Sequence, residues 1–194
     1  MVRLLKSQKE LSNNYYKPAE DTLFFADHLQ HEKGRAALDI GTGSGLLAQV
    51  LTKNFELVVA TDIDIKALRK THESVGNCMC CNVADALTPI FDLVVCNLPY
   101  LPSEQVSDPA VDGLREGVEI PIKIINSASR VIKENGKIIF LTSSLANQTE
   151  LVNQVKMLGF VTRVIARKKL FFEELILVEC TKRANFSTTN KDCV

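Results

Sequence analysis

Three glycines crowd into Gly41-Thr42-Gly43-Ser44-Gly45, directly after the apolar run Ala36–Ile40 and ahead of the helical-looking Leu46–Thr52. No other feature constrains this chain as strongly. A strand that breaks into glycines and resumes as a helix needs a backbone free to turn tightly, with no Cβ between it and a ligand. The pattern also narrows the ligand. A dinucleotide site wants G-x-G-x-x-G, whereas here the third glycine comes one residue early and Leu46 stands in the expected place.

The same strand-to-helix rhythm continues along the chain. Leu57–Thr61, Cys78–Asn82, Leu93–Cys96, Lys137–Thr142, Val161–Ala166 and Leu175–Glu179 read as short strands. Ile65–Val75, Ile120–Ile132 and Leu151–Leu158 read as helices, the middle one stopped by Asn135-Gly136 as a C-terminal cap. Ahead of them, Pro18 suits a first helical turn, with Glu20 and Asp21 complementing its dipole before the apolar Leu23, Phe24 and Ala26. Pro99–Gly117 is irregular, and the last two strands pair as a hairpin around Lys168–Phe172. Alternation of this kind predicts an α/β domain over residues 15–180, after a lead-in over 1–14 and before a polar tail over 181–194. In such sheets a ligand lies at the carboxyl ends of the strands.

Composition sets limits on partners. Lys plus Arg and Asp plus Glu number 23 each, which removes the long-range attraction of a typical nucleic-acid binder. The basic run Arg163, Arg167, Lys168 and Lys169 reads as a solvated hairpin. No apolar stretch is long enough to span a bilayer and no signal peptide is visible, so the expected home is the cytoplasm, or the nucleus of a eukaryote. Three of the six cysteines, Cys78, Cys80 and Cys81, are spaced C-x-C-C on one strand without a C-x₂-C pair or a histidine cluster. They read as buried thiols of a central strand, and no metal site is expected. His28, His31 and His72 fall away from the motifs.

Three further motifs sit at strand ends. Asp62 lies about 20 residues beyond the glycines, where a carboxylate accepts both hydroxyls of a ribose or, alternatively, caps a helix; Asp64 suits the start of the next helix. Asp85, just past the third strand, can accept from an adenine amino group. Asn97-Leu98-Pro99-Tyr100 closes the fourth strand. The Asn97 carboxamide oxygen and the Leu98 carbonyl can each accept one hydrogen of an NH₂ group. Pro99 holds Leu98 extended, and Tyr100 offers a face to a planar amide or base.

With Tyr15-Tyr16-Lys17-Pro18-Ala19-Glu20-Asp21-Thr22, the D-x-G-x-G-x-G around Asp39, the strand-tip acid and the N-x-P-Y, the chain resembles the class I methyltransferases. More narrowly it resembles the HemK-like glutamine methyltransferases of the short archaeal and eukaryotic type, and Ala110–Ile120 is similar to that family's glycine-containing loop. The resemblance implies a Rossmann-like class I methyltransferase fold: a seven-stranded, mostly parallel sheet with an antiparallel edge strand and helices on both faces. It implies S-adenosyl-L-methionine as cofactor, with Asp39, Gly41, Gly43 and Gly45 at the methionine end, Asp62 at the ribose and Asp85 at the adenine. Thr22 and the Pro18–Asp21 turn close over it, and Asn97 borders both cofactor and substrate. Asn97, Leu98, Pro99 and Tyr100 become the catalytic loop. The implied substrate is the glutamine of the Gly-Gly-Gln loop in a peptide-chain release factor, and the implied partner a small zinc-binding activator subunit.

The chain departs from the family pattern in two places. Leu98 replaces the first proline of N-P-P-Y, and Asp112 and Leu114 stand where smaller residues are expected. The same Asn and Tyr would also serve an adenine-N6 methyltransferase acting on a flipped base, or a lysine-directed enzyme on the same scaffold. A scaffolding subunit with weak catalysis is the non-enzymatic alternative. The chain is short for the extra helical domain of the bacterial relatives, so substrate grip is expected from Leu101–Gly117 or from a partner.

Overall fold

A computed structural model describes residues 20–102 and 112–182. The lead-in over 1–14, the Tyr15–Ala19 part of the opening motif, Ala110 and Val111 and residues 183–194 lie outside them. The elements are α1 (Glu20–Leu29), β1 (Gly34–Ile40), α2 (Leu46–Leu51), β2 (Phe55–Asp62), α3 (Ile65–Thr71), β3 (Asn77–Cys80) and β4 (Phe91–Asn97). There follow β5 (Leu101–Pro102), β6 (Asp112–Leu114), α4 (Glu119–Val131), β7 (Ile132–Ser143), α5 (Gln148–Met157), β8 (Phe160–Lys169) and β9 (Glu174–Lys182).

The seven long strands form one sheet in the order β3-β2-β1-β4-β7-β9-β8. All run parallel except β9, which lies antiparallel between β7 and the edge strand β8, so the antiparallel pairing falls at that edge of the sheet. The central strands are apolar on both faces, as burial between two helical layers requires. Their side chains alternate strictly. Leu38, Ile40, Val94, Cys96, Ile138 and Phe140 pack with Ile125 and Val131 of α4 and Leu151 and Val155 of α5. Their neighbours Ala37, Leu93, Val95, Ile139 and Leu141 pack with Phe25 and Leu29 of α1 and Leu47 and Leu51 of α2. Asp92 aligns two strand starts, accepting from the backbone N–H groups of Arg35 and Ala36 at 2.8 and 2.9 Å.

Two expectations are corrected. β3 is an edge strand, so its thiols are not core residues: Cys80 is exposed and Cys78 and Cys81 are half-buried. A short strand with few apolar neighbours cannot be told from a central one by its cysteines. The second correction concerns Asn135-Gly136, which do not cap α4. The helix ends at Val131, and Ile132 is already extended (φ −80°, ψ 140°). Ile132 pairs with Phe91 and Lys137 with Leu93, so residues 133–136 bulge out opposite Asp92 alone. Gly136 is there for close approach: a Cβ would lie 2.6 Å from Ile132 Cγ1 and 2.8 Å from the Phe91 carbonyl oxygen. The irregular stretch after Pro99 also contains a small parallel pair, β5 with β6, which its composition did not signal.

Gly136→Ala is expected to destabilise the fold by about 1–3 kcal/mol, the usual cost of forcing a methyl into packed backbone. Urea unfolding would show a lower midpoint at unchanged slope; an unchanged midpoint would mean that the bulge relaxes freely.

Candidate active site

Register brings the motifs together. Ile40 of β1 pairs with Thr61 of β2 and with Cys96 of β4, so Gly41, Asp62 and Asn97 leave three adjacent strands at one level. Asn97 itself pairs with Leu141 of β7. The ligand end of the sheet is therefore built from the carboxyl ends of β1, β2 and β4, as the parallel topology requires.

The turn after β1 is held from both sides. Gly41, Gly43 and Gly45 all take left-handed backbone, with φ of 68°, 50° and 79°. The Thr42 N–H donates to the Thr61 carbonyl at 2.9 Å, and the Gly43 N–H donates to Asp62 Oδ2 at 2.9 Å. Gly45 has a second reason to lack a side chain, since a Cβ would sit 2.7 Å from Thr71 Cγ2. Around Gly41, by contrast, a Cβ would meet nothing within 4 Å, so this part of the turn faces open space. Asp39 lies beneath the turn, 1% exposed. Its Oδ2 accepts from the Thr42 hydroxyl at 2.7 Å and from the Ala48 N–H at 3.1 Å, while its buried Oδ1 has no partner. Burial drives its pKa up from 3.8 to about 6; the two hydrogen bonds oppose that rise, and the neighbouring Asp62 charge adds to it.

Asp62 is not the cap of α3. That role belongs to Asp64, whose side chain accepts from the Lys66 N–H at 2.8 Å. Asp62 instead spends one lone pair per oxygen on backbone, Oδ2 on Gly43 and Oδ1 on Asp64, and keeps the others for a ligand. Next to it Ile63 is 71% exposed, an apolar face set beside a carboxylate. Sequence reasoning passed over Ile63, although its signal was an apolar residue just past a strand-tip acid. Asp85 is exposed on the β3–β4 connection. Its carboxylate accepts from Asn82 Nδ2 at 3.1 Å and Ser127 Oγ at 3.3 Å, and Arg130 lies 3.6 Å away, so it is oriented from α4.

At the end of β4 the Asn97 amide is held at one end only. Its Nδ2 donates to Asp21 Oδ2 at 3.0 Å and lies 3.4 Å from Thr22 Oγ1, whereas Oδ1 is buried without a partner. Thr22 thus meets Asn97 directly, and Asp21, expected as a helix-start acid in the turn over the cofactor, makes a contact with Asn97 that sequence reasoning did not anticipate. Leu98 is 1% exposed, in the same apolar cluster as Ile125 and Phe140, and its N–H donates to the Leu141 carbonyl at 3.3 Å. Pro99 is buried and Tyr100 half-buried. Burial pushes the Tyr100 hydroxyl above its ordinary pKa, and the charges of Asp21 and Glu173 push it the same way. The family-like glycines Gly113 and Gly117 lie behind this loop, where a Cβ would collide with the Pro99 and Tyr100 carbonyl oxygens respectively. The arrangement can bind a cation among carboxylates and can accept a donor hydrogen at the Asn97 oxygen.

Comparison with known proteins identifies the family and the fold. Residues 17–171 match the methyltransferase small domain family. Over 182 residues the chain is 30% identical to a putative protein N5-glutamine methyltransferase of Methanocaldococcus jannaschii, covering 87% of this chain and 92% of that protein. It is 32% identical over 126 residues to a release factor glutamine methyltransferase of Streptococcus pneumoniae, covering 55% of this chain but 45% of that longer relative. The Mtq2–Trm112 complex of E. cuniculi, described as responsible for methylation of the eRF1 translation termination factor, contains a chain with TM-score 0.74 and 26% identity. That similarity covers 87% of this chain and 98% of the other. A putative RNA methyltransferase of Pyrococcus horikoshii (TM-score 0.59, 17% identity, 86% and 82% covered) shows the shared fold alone. The chain belongs to the methyltransferase small domain family.

Proposed function

We propose that this chain is an S-adenosyl-L-methionine-dependent N-methyltransferase whose substrate is the side-chain amide of the glutamine in the Gly-Gly-Gln loop of a peptide-chain release factor. The observation that carries the reading is the buried Asn97 Oδ1, an acceptor without a partner at the end of β4. A buried acceptor left unmade costs stability, and such groups persist where a ligand completes them. An amide N–H is the complementary donor. The activities ascribed to the archaeal and bacterial relatives support glutamine as its source.

The residues fit the cofactor. Open space around Gly41 leaves room at the turn, the orphan Oδ1 of Asp39 suits a cationic group, and Asp62 and Ile63 offer paired acceptors beside an apolar face. Asp39, Gly41, Gly43 and Gly45 would hold its methionine end, Asp62 the ribose and the α4-braced Asp85 the adenine amino group, with Thr22 closing over it. The cofactor supplies an electrophilic methyl on a sulfonium. The protein's task is to ready a poor nucleophile. An amide lone pair is delocalised; with both N–H bonds directed at Asn97 Oδ1 and the Leu98 carbonyl, the nitrogen is oriented and the positive charge developing on it is stabilised. Pro99 fixes that carbonyl, and Tyr100 supports the amide plane. The C–S electron pair would remain on sulfur, and the methylated nitrogen would lose one proton to solvent.

The E. cuniculi neighbour is a two-protein complex, which supports extending the proposal to a small activator subunit, zinc-binding by family resemblance. A nucleic-acid substrate is disfavoured by the hairpin's pairing: Arg163, Arg167 and Lys168 engage Glu179, Glu174 and Glu20. Among the described residues no helix is long and apolar enough to cross a membrane.

Labelled methyl transfer to a release factor carrying Gly-Gly-Gln, compared with its Gly-Gly-Ala variant and run with and without the activator, tests the reading. Label on the glutamine form alone is expected; label on neither overturns the substrate. Asn97→Ala should lower kcat by about a hundredfold, the size found for removing one preorganised polar contact, with cofactor affinity largely kept. A pH series isolates Asp39. Its folded pKa of about 6 exceeds the ordinary 3.8, so its contribution to stability is full below the lower value and lost as pH rises through the higher. That loss is about 3 kcal/mol. In cofactor-free protein the urea midpoint should fall between roughly pH 4 and pH 7 by more than in Asp39→Asn; parallel curves would remove Asp39 as the source.

A further inference from the structure

We infer that Asp21, on the first turn of α1, is a positioning residue that fixes which way round the Asn97 amide lies. The inference rests on the proposed function for the substrate but on the hydrogen-bond chemistry for the geometry. A carboxamide has two ends of similar shape and opposite polarity: an NH₂ that only donates and an oxygen that only accepts. Which end meets the substrate decides whether an incoming amide N–H finds an acceptor or a repelling donor. Asn97 touches two groups that could set this choice. Thr22 Oγ1, at 3.4 Å, is a hydroxyl free to donate or accept in itself, but its one proton goes to Asp21 Oδ1, so toward Asn97 it can only accept, and it does so because Asp21 takes that proton. Asp21 Oδ2, at 3.0 Å, belongs to a carboxylate, which when ionised accepts only. Asp21 thus commits Nδ2 to itself and turns Oδ1, the atom left without a partner, the other way.

Asp21 is itself held for the task. Its Oδ1 accepts from the backbone N–H of Thr22 at 2.5 Å and from the Thr22 hydroxyl at 3.1 Å, so the carboxylate is fixed on its own helix turn while Oδ2 reaches across to β4. That turn is braced from a third side, because Glu20 pairs with Lys168 at the end of β8 at 2.8 Å. Phe24 and Phe25, one turn on, are buried in the apolar layer beneath the sheet. The first turn of α1 is therefore a rigid mount against which a β4 side chain is oriented. Misplacing a reacting group by as little as about 1 Å can cost about a hundredfold in rate, so a wholesale amide flip would be felt at least as strongly.

The test compares Asp21→Ala and Asp21→Asn in the full chain, alone and combined with Asn97→Ala. Readouts are kcat and KM for methyl transfer to a Gly-Gly-Gln release factor, cofactor affinity by titration, thermal midpoint, and the Asn97 side-chain amide resonances. Asp21→Ala is expected to lower kcat by about tenfold to a hundredfold, with KM and cofactor affinity within about twofold. Asp21→Asn should fall between it and the wild type, because a carboxamide can present its oxygen to Nδ2 but does not have to. In the Asn97→Ala background Asp21→Ala should cost nothing further, since its effect passes through Asn97. The amide resonances should move to an unbonded position in Asp21→Ala while the thermal midpoint stays near wild type. Unchanged kcat in Asp21→Ala, an undiminished loss in the Asn97→Ala background, or a loss carried wholly by cofactor affinity would each overturn the inference. Wild-type protein that transfers nothing to Gly-Gly-Gln would instead sink the substrate reading, and unmoved Asn97 resonances in Asp21→Ala would sink the positioning role independently of any substrate.

Discussion

The ligand end of this protein depends on one buried carboxylate. Asp39 sits under the glycine turn with Oδ2 bonded to the Thr42 hydroxyl and the Ala48 N–H. It thereby ties the end of β1 to the start of α2 across a turn of three left-handed glycines, which has little stiffness of its own. Holding a carboxyl there is costly, as its elevated pKa records. Among the described residues the cost is not recovered, because the second oxygen has no partner there. A group that organises a turn and is left half-satisfied is poised to gain from a cation, and the stability it withholds from the folded chain becomes available to binding.

The same electrostatic logic extends across the site. The chain as a whole is neutral, with 23 basic and 23 acidic side chains. Locally it is not. The parallel register sets Asp39 and Asp62 at the ends of adjacent strands, and the Asp62 charge adds to the difficulty of ionising Asp39. On the far side, Asp21 and Glu173 both bear on the Tyr100 hydroxyl. The basic side chains of the hairpin, which might have neutralised this end, are instead engaged with Glu20, Glu174 and Glu179. Acids gathered at one end of a neutral protein favour a small cation over a phosphate-rich ligand. This is why acids and not lysines accompany a glycine turn that superficially resembles a dinucleotide site.

What the sequence made legible were features with short-range causes. The glycine turn, the strand-tip acids and N-x-P-Y each follow a strand directly, so alternation alone assigns them to one end of a parallel sheet. Asp64 as the cap of α3 was readable for the same reason. Features decided by distant neighbours were not. Gly136 follows a helical run and carries the signal of a cap, yet it is required by the approach of Phe91 from another strand. Cys78, Cys80 and Cys81 look alike on a central or an edge strand, and only the sheet order decides. The Asp21–Asn97 bond joins residues 76 positions apart, and no local pattern announces it. The acid was visible as a favourable helix-start residue, and its reach to β4 was not.

Leu98 shows how a motif can change while the atom it delivers is kept. A proline there would fix φ but would have no N–H to give. Leucine gives up the fixed angle and gains two anchors: its N–H donates to the Leu141 carbonyl, and its side chain is buried with Phe140 and Ile125. Pro99 remains to restrict the Leu98 backbone from the other side. The loop is thus pinned by the sheet instead of by a ring, and its geometry becomes dependent on β7. That strand reaches Leu141 only after absorbing the bulge at residues 133–136. A change of register at the bulge would therefore move the Leu141 carbonyl and with it the Leu98 N–H that it holds. In this chain, then, the placement of the Asn97–Tyr100 loop rests on strand register as well as on the motif itself.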